Sequence, residues 1–242
     1  MKIIPLSEGS FTIDKTKLFV PFDESKDVLN ERPIGSLLVE VQPFLVITSR
    51  DTILLDTGLG FTGKEGELQL LTNIRHAGID PEAITKVLIS HLHKDHAGAA
   101  CSKDSLSLPH AKYYIQEKEL AFAFEKGFPS YLTDELLPLK NNPGVELLNG
   151  DGEIDGYIHY ELTHAHCPWH QVFWISDEGE IAFFGADDAP QLQQMKHRFV
   201  AKYDYDGKKA MELRKSWWEQ GRSAHWNFLF YHDIRTPTFL QQ

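Results

Sequence analysis

Short apolar runs broken by turn residues set the pattern of the first third of the chain. Residues 36–41, 44–48 and 52–55 are β-branched and apolar, with Gln42-Pro43 and Ser49-Arg50-Asp51 between them. Runs of that length and composition predict strands. From about residue 64 to 76, Leu68, Leu71 and Ile74 fall at helical spacing and Gly78 follows as a stop. Asp80-Pro81-Glu82 has the order of a helix start. Residues 85–90 then predict a short buried strand that runs directly into His91. The second half repeats this vocabulary, with strands over 111–115, 145–148 and 157–162 and a helix over 117–124. Residues 172–175 and 180–184 predict a hairpin about Ser176-Asp177-Glu178-Gly179. The longest helical pattern is 206–220, with Asp206 as N-cap and Gly221 as terminator, and 227–231 is a last strand. Two β-rich halves with helices between them predict an α/β layered sandwich, two sheets packed together with helices outside. No repeat, low-complexity tract or long linker divides residues 1–242, so one domain is expected.

Composition narrows the function. Hydrophobic residues are 42% and charged residues 24% of 242, which suits a globular chain able to bury a core without staples. The formal charge is −11, against the cation-rich balance that a phosphate backbone demands, so no nucleic-acid partner is expected. Cys101 and Cys167 are the two cysteines, which implies no disulfide framework and points to a reducing, cytoplasmic setting. The opening MKIIPLSEGSFTIDK has no signal-peptide core, and no apolar run nears the roughly 18 residues of a membrane span. A small-molecule substrate remains, with a homodimer left open. Twelve histidines are the oddity.

Three of them fall together. Ser90-His91-Leu92-His93-Lys94-Asp95-His96-Ala97-Gly98 places three imidazoles and a carboxylate in six positions. Just past a strand, His91 and His93 stand two apart and face the same way, as two imidazoles of one metal site must. Asp95 and His96 follow as the chain turns, within reach of a second ion. A merely polar loop has no need of imidazoles where Ser or Asn would serve.

His91-x-His93-x-Asp95-His96 resembles the signature of metallo-β-lactamase-fold hydrolases. The resemblance extends to Leu54-Leu55-Asp56-Thr57-Gly58, to His166-Cys167-Pro168-Trp169-His170, to Phe183-Phe184-Gly185-Ala186-Asp187 and to Phe230-Tyr231-His232-Asp233. It implies a four-layer αββα sandwich of two mixed β-sheets with helices on the outer faces, holding two divalent metal ions. Zinc leads, and Mn, Fe or Co suit the same donors. By position, His91, His93 and His170 would hold the first ion, and Asp95, His96 and His232 the second. Asp187 would bridge them, favoured over Asp188 by Gly185-Ala186 before it and Pro190 after it. Asp95 is also carried over as a catalytic carboxylate; Asp56, placed in a tight turn by Thr57-Gly58, reads as a residue that holds the turn or stands behind the ligands and not as a ligand. The implied activity is hydrolysis of a small ester, lactone or thioester by metal-activated water. The alternatives are a metal-stabilised binding protein without turnover and a mononuclear-iron oxidoreductase of the same fold. Two departures stand out. Trp169 replaces the usual Gly, and the Tyr that quorum-signal lactonases carry after the bridging Asp has no counterpart in Asp188-Ala189-Pro190-Gln191.

Overall fold

Strand alternation sorts the apolar side chains into layers. The computed structural model describes residues 1–241. Its first six-stranded sheet runs Lys2–Pro5, Phe44–Ile47, Thr52–Leu55, Lys86–Leu88, Lys112–Gln116, Val145–Leu148. The first two pairings are antiparallel and the other three parallel. The second six-stranded sheet runs Gly152–Ile154, Ile158–Leu162, Gln171–Asp177, Glu180–Phe184, Asn227–Leu229, Thr238–Leu240. One pairing in it is parallel, Glu180–Phe184 with Asn227–Leu229.

Because successive strand residues face opposite ways, Phe44, Val46, Ile53 and Leu55 point from the first sheet onto Phe173, Ile175 and Phe184 of the second. Their neighbours Leu45, Leu54 and Val87 point outward instead, onto Leu70, Ile74 and Leu120 of the helices Gln69–His76 and Glu117–Lys126. On the far side, Val172, Phe183 and Phe228 pack against Trp217 of the helix Gly207–Ala224. The result is the expected αββα sandwich. Each of these fully buried side chains is worth about 1.5–3 kcal/mol relative to exposure. No helix among the described residues is long and apolar enough to cross a membrane.

Three local expectations fail for identifiable reasons. Asp80-Pro81-Glu82 starts only one 3-10 turn, Pro81–Ala83, although Asp80 caps it by accepting the Glu82 N–H. The chain must be extended again by Lys86 to enter the sheet. Gly221 does not end the last helix, which continues to Ala224 before His225 takes a left-handed conformation. It is small because Phe228 lies against it, and a Cβ there would stand 2.4 Å from the ring. Gly221→Ala should therefore destabilise the fold, by up to about 2 kcal/mol in urea unfolding. That is the overpacking cost less the roughly 1 kcal/mol that Ala gains over Gly in a helix. Finally, Gly9–Ile13, Phe19–Pro21 and Leu37–Val41 form a three-stranded sheet beyond the sandwich, of which only the last strand was expected.

Candidate metal centre

The strand ends of the first sheet build the floor of the site. At the end of Thr52–Leu55 the chain turns through Asp56, whose φ is 54°. Its buried carboxylate accepts the Ser90 N–H at 2.7 Å, the Ser90 hydroxyl at 2.6 Å and His96 Nδ1–H at 2.7 Å. With three of its roughly four acceptor sites turned to Ser90 and His96, Asp56 is no ligand; it clamps the loop that carries them. Thr57 N–H donates to the His96 carbonyl and Gly98 N–H to that of Gly58. The two segments touch so closely that a Cβ on Gly98 would lie 2.4 Å from the Leu59 carbonyl oxygen.

Four of the five rings are held from behind, His96 by Asp56. His91 Nδ1 meets the Ser90 hydroxyl at 3.1 Å, His166 Nδ1 meets Asp204 at 3.0 Å, and His232 Nδ1 meets the Glu40 carbonyl at 2.6 Å. An anchored Nδ1–H leaves Nε2 as a bare lone pair. His93 is turned the other way and presents Nδ1, 2.9 Å from His91 Nε2 and 3.2 Å from His166 Nε2. Asp187 joins both sides. Its Oδ2 lies 3.0 Å from His166 Nε2 and 4.0 Å from His91 Nε2, and its Oδ1 lies 3.1 Å from His96 Nε2 and 2.9 Å from His232 Nε2. Asp95 Oδ2 completes the second side, 3.7 Å from His96 Nε2 and 3.6 Å from His232 Nε2.

Lone pairs that converge at these distances repel unless a cation lies between them. His91, His93, His166 and Asp187 offer donor atoms all within 4.8 Å of one another, as do Asp95, His96 and His232. His96 Nε2 and Asp187 Oδ1 are both buried without a hydrogen-bond partner. Imidazole and carboxylate donors in two such groups fit two divalent cations.

The third imidazole of the first group is His166, not His170. This corrects the register expected for His166-Cys167-Pro168-Trp169-His170. His170 is locked into the sheet below the site: its carbonyl accepts from Thr163 N–H, and the next residue, Gln171, donates to Ser90. Its Nδ1 lies 3.0 Å from Asp188 Oδ2. Asp188, fully buried, also accepts the His166 N–H at 2.8 Å, so Asp187 faces the donors and Asp188 holds their support. Trp169 needs no glycine-like backbone; the left-handed residue of this loop is His164, with φ 52°. Both cysteines are free and buried.

Electrostatics divides the rings. Burial and the neighbouring imidazoles hold His91 and His93 far below the ordinary imidazole range. Burial opposes a charge on His166 too, but Asp187 and Asp204 outweigh it and lift His166 to about 10. His96 and His232 are likewise raised by Asp187 against burial. Without a cation these rings therefore take up protons, which metal must displace. Below about 10 the metal-free His166 is protonated and the metal-bound ring is neutral, so affinity should weaken as pH falls. The apparent metal Kd, followed by competition with a chromophoric chelator, should rise at least about tenfold per pH unit lowered through neutrality. A flat profile would show that metal displaces no proton from these rings.

Above the donors opens a cavity of about 730 Å³. The three-stranded sheet gives it an apolar wall of Ile13, Phe19, Leu37 and Val39, and Tyr203 and Gln194 line it too. Tyr203 lies beyond Asp188-Ala189-Pro190-Gln191, yet it reaches the cavity beside His166 at a ring separation of 6.3 Å.

A sequence model of the metallo-beta-lactamase superfamily matches residues 39–199. The chain belongs to that superfamily. Among its superfamily relatives is an N-acyl homoserine lactonase of Bacillus cereus, 30% identical over 166 residues. That match covers 60% of this chain and 62% of the relative's length. An N-acyl homoserine lactonase of Bacillus thuringiensis is 24% identical over 220 residues, covering 83% of this chain and 84% of its own. A probable metal-dependent hydrolase from Staphylococcus aureus superposes with a TM-score of 0.80 at 18% identity, over 98% of this chain and 91% of the other. A dizinc quorum-quenching lactonase bound to its product superposes with a TM-score of 0.73 at 21% identity, over 98% and 89%. At these identities the structural likeness is one of fold.

Proposed function

We propose that residues 1–242 act as one hydrolase domain that opens small lactones and related esters or thioesters. The chain is a metal-dependent hydrolase, and the observation that carries the reading is Asp187, whose two carboxylate oxygens divide between two sets of imidazoles. His91, His93 and His166 would hold one divalent ion and Asp95, His96 and His232 the other, with Asp187 on both. Zinc suits this donor set best, and Mn, Fe or Co are compatible. When bound, such a pair polarises a carbonyl and makes water nucleophilic near neutral pH.

The remaining chemistry belongs to side chains. Asp95 lines the cavity and turns Oδ2 to the imidazoles. Its other oxygen takes a proton from the attacking water and returns it to the leaving oxygen. Tyr203 stays a neutral donor, because burial and the nearby Asp204 push its phenol up to about 12. It hydrogen-bonds the carbonyl or ring oxygen and orients it. Ile13, Phe19 and Leu37 exclude water from the acyl side. A binding protein without turnover has no use for the second donor group, and a mononuclear site would not need Asp95 with His96 and His232. The relatives' activity supports lactones first, with a small molecule rather than a nucleic acid as partner. The two free cysteines support a cytoplasmic setting.

The test is turnover of N-hexanoyl homoserine lactone, simple γ- and δ-lactones, aryl esters and a thioester by zinc-loaded protein. Lactone opening that a chelator abolishes and zinc restores is expected. No turnover of any of them, with metal content verified, would overturn the reading.

A further inference from the structure

We propose that the cavity takes an ester or lactone bearing a second, anionic group, clamped between Lys17 and Lys94; this rests on the hydrolase reading of the same site. The chain carries a net charge of −11, yet the cavity wall presents Lys17, Lys94 and Arg32. Lys94 stands between His93 and Asp95, and its Nζ lies 5.6 Å from the centre of the Phe19 ring. It therefore reaches from the floor toward the three-stranded wall. Lys17 closes a turn on that wall, its N–H donating to the Asp14 carbonyl at 3.0 Å.

Both lysines are half-buried, and neither has a carboxylate within 4.0 Å among the described residues. Lys26 and Lys112 each have one, and Lys86 has two. The acids that share the cavity are otherwise occupied. Asp14 accepts the Thr16 N–H and hydroxyl, and Asp95 and Asp187 face the imidazoles. Two unpaired ammonium groups in a confined, partly apolar space draw an anion to them. They also penalise a purely apolar acyl chain, which would have to strip their water without replacing it. Since Lys94 adjoins the donors, the anion sits about one lysine length from the reacting carbonyl. Phe19 and Ile13 flank the spacer between them.

Turnover and binding test this separately on zinc-loaded protein. The substrates are a γ-lactone with a side-chain carboxylate and the same lactone with that group as its amide. The carboxylate form should show at least about tenfold higher kcat/KM at low salt, the scale of one charge-assisted hydrogen bond. The preference should shrink toward one at high salt and in Lys17→Gln and Lys94→Gln. A third lactone with a phosphate in that place separates the two anions, and the larger preference names the group. Equal rates for acid and amide would overturn the inference and leave the hydrolase reading standing. If no lactone is opened, calorimetry still decides the clamp with glutarate and glutaramate, which both keep one carboxylate for the metals, and the hydrolase reading itself fails only if the esters and the thioester are not turned over either. Glutarate binding at least about tenfold tighter, with the margin lost in Lys17→Gln, supports the clamp; equal affinities overturn it. Lys17 lies outside the ligand loop, so Lys17→Gln carries the test alone if Lys94→Gln does not fold.

Discussion

Asp187→Ala should lose at least about 100-fold in kcat/KM, the scale on which a misplaced catalytic group is felt. One side chain bridges the halves of the site, with Oδ2 near His166 and His91 and Oδ1 near His96 and His232. Removing it takes a donor from both groups at once, along with the charge that draws them together. The four rings keep their anchors on Ser90, Asp204, Asp56 and Glu40, so the fold should survive the change. Asp188→Ala, one position along, should act by another route. It leaves the His166 N–H without its acceptor in a buried place, costing about 1–3 kcal/mol of stability. Asp188→Asn keeps an oxygen for that N–H and should retain most activity. Thermal melts beside kinetics separate the two cases. A larger kinetic loss in Asp188→Asn than in Asp187→Ala would reverse the assignment of the bridge.

How much of this was legible beforehand depended on whether the cause was local. Strand alternation is local, and it placed Leu45 on one face and Phe44 on the other, so the layers could be anticipated. The spacing His91-x-His93-x-Asp95-His96 is local too, and all four residues meet in the structure. Gly221 was misread because its reason is distant: the Phe228 ring that forbids a Cβ comes from the next strand. Tyr203 was missed for the same kind of reason. It reaches the cavity from the segment before Asp206, and only tertiary packing brings it to His166. The strands at 9–13 and 19–21 are short and half-exposed, so their pattern lacked the apolar run that marks a buried strand.

The choice between His166 and His170 is the sharpest case, because both rings are buried and only four residues apart. The resemblance puts His170 in that place, but nothing local to the two histidines flanking Cys167-Pro168-Trp169 distinguishes them. The deciding facts are tertiary. The Asp204 carboxylate, far along the chain, anchors His166 Nδ1 and turns Nε2 to the donors, whereas sheet hydrogen bonds hold His170 beneath them. His166→Ala should therefore drop metal content from two ions per chain toward one and reduce lactone turnover at least about 100-fold. His170→Gln should keep both ions. Its effect should appear as a lower melting temperature, because the ring fills a fully buried place beside Asp188 and Thr163. Elemental analysis of protein purified without chelator reads the first quantity, and thermal unfolding of the same samples reads the second. Loss of an ion in His170→Gln with both retained in His166→Ala would return the third imidazole to His170. A chelator should narrow the stability gap between wild type and His166→Ala, since both then lack the cation that ties the strand ends of the two sheets together.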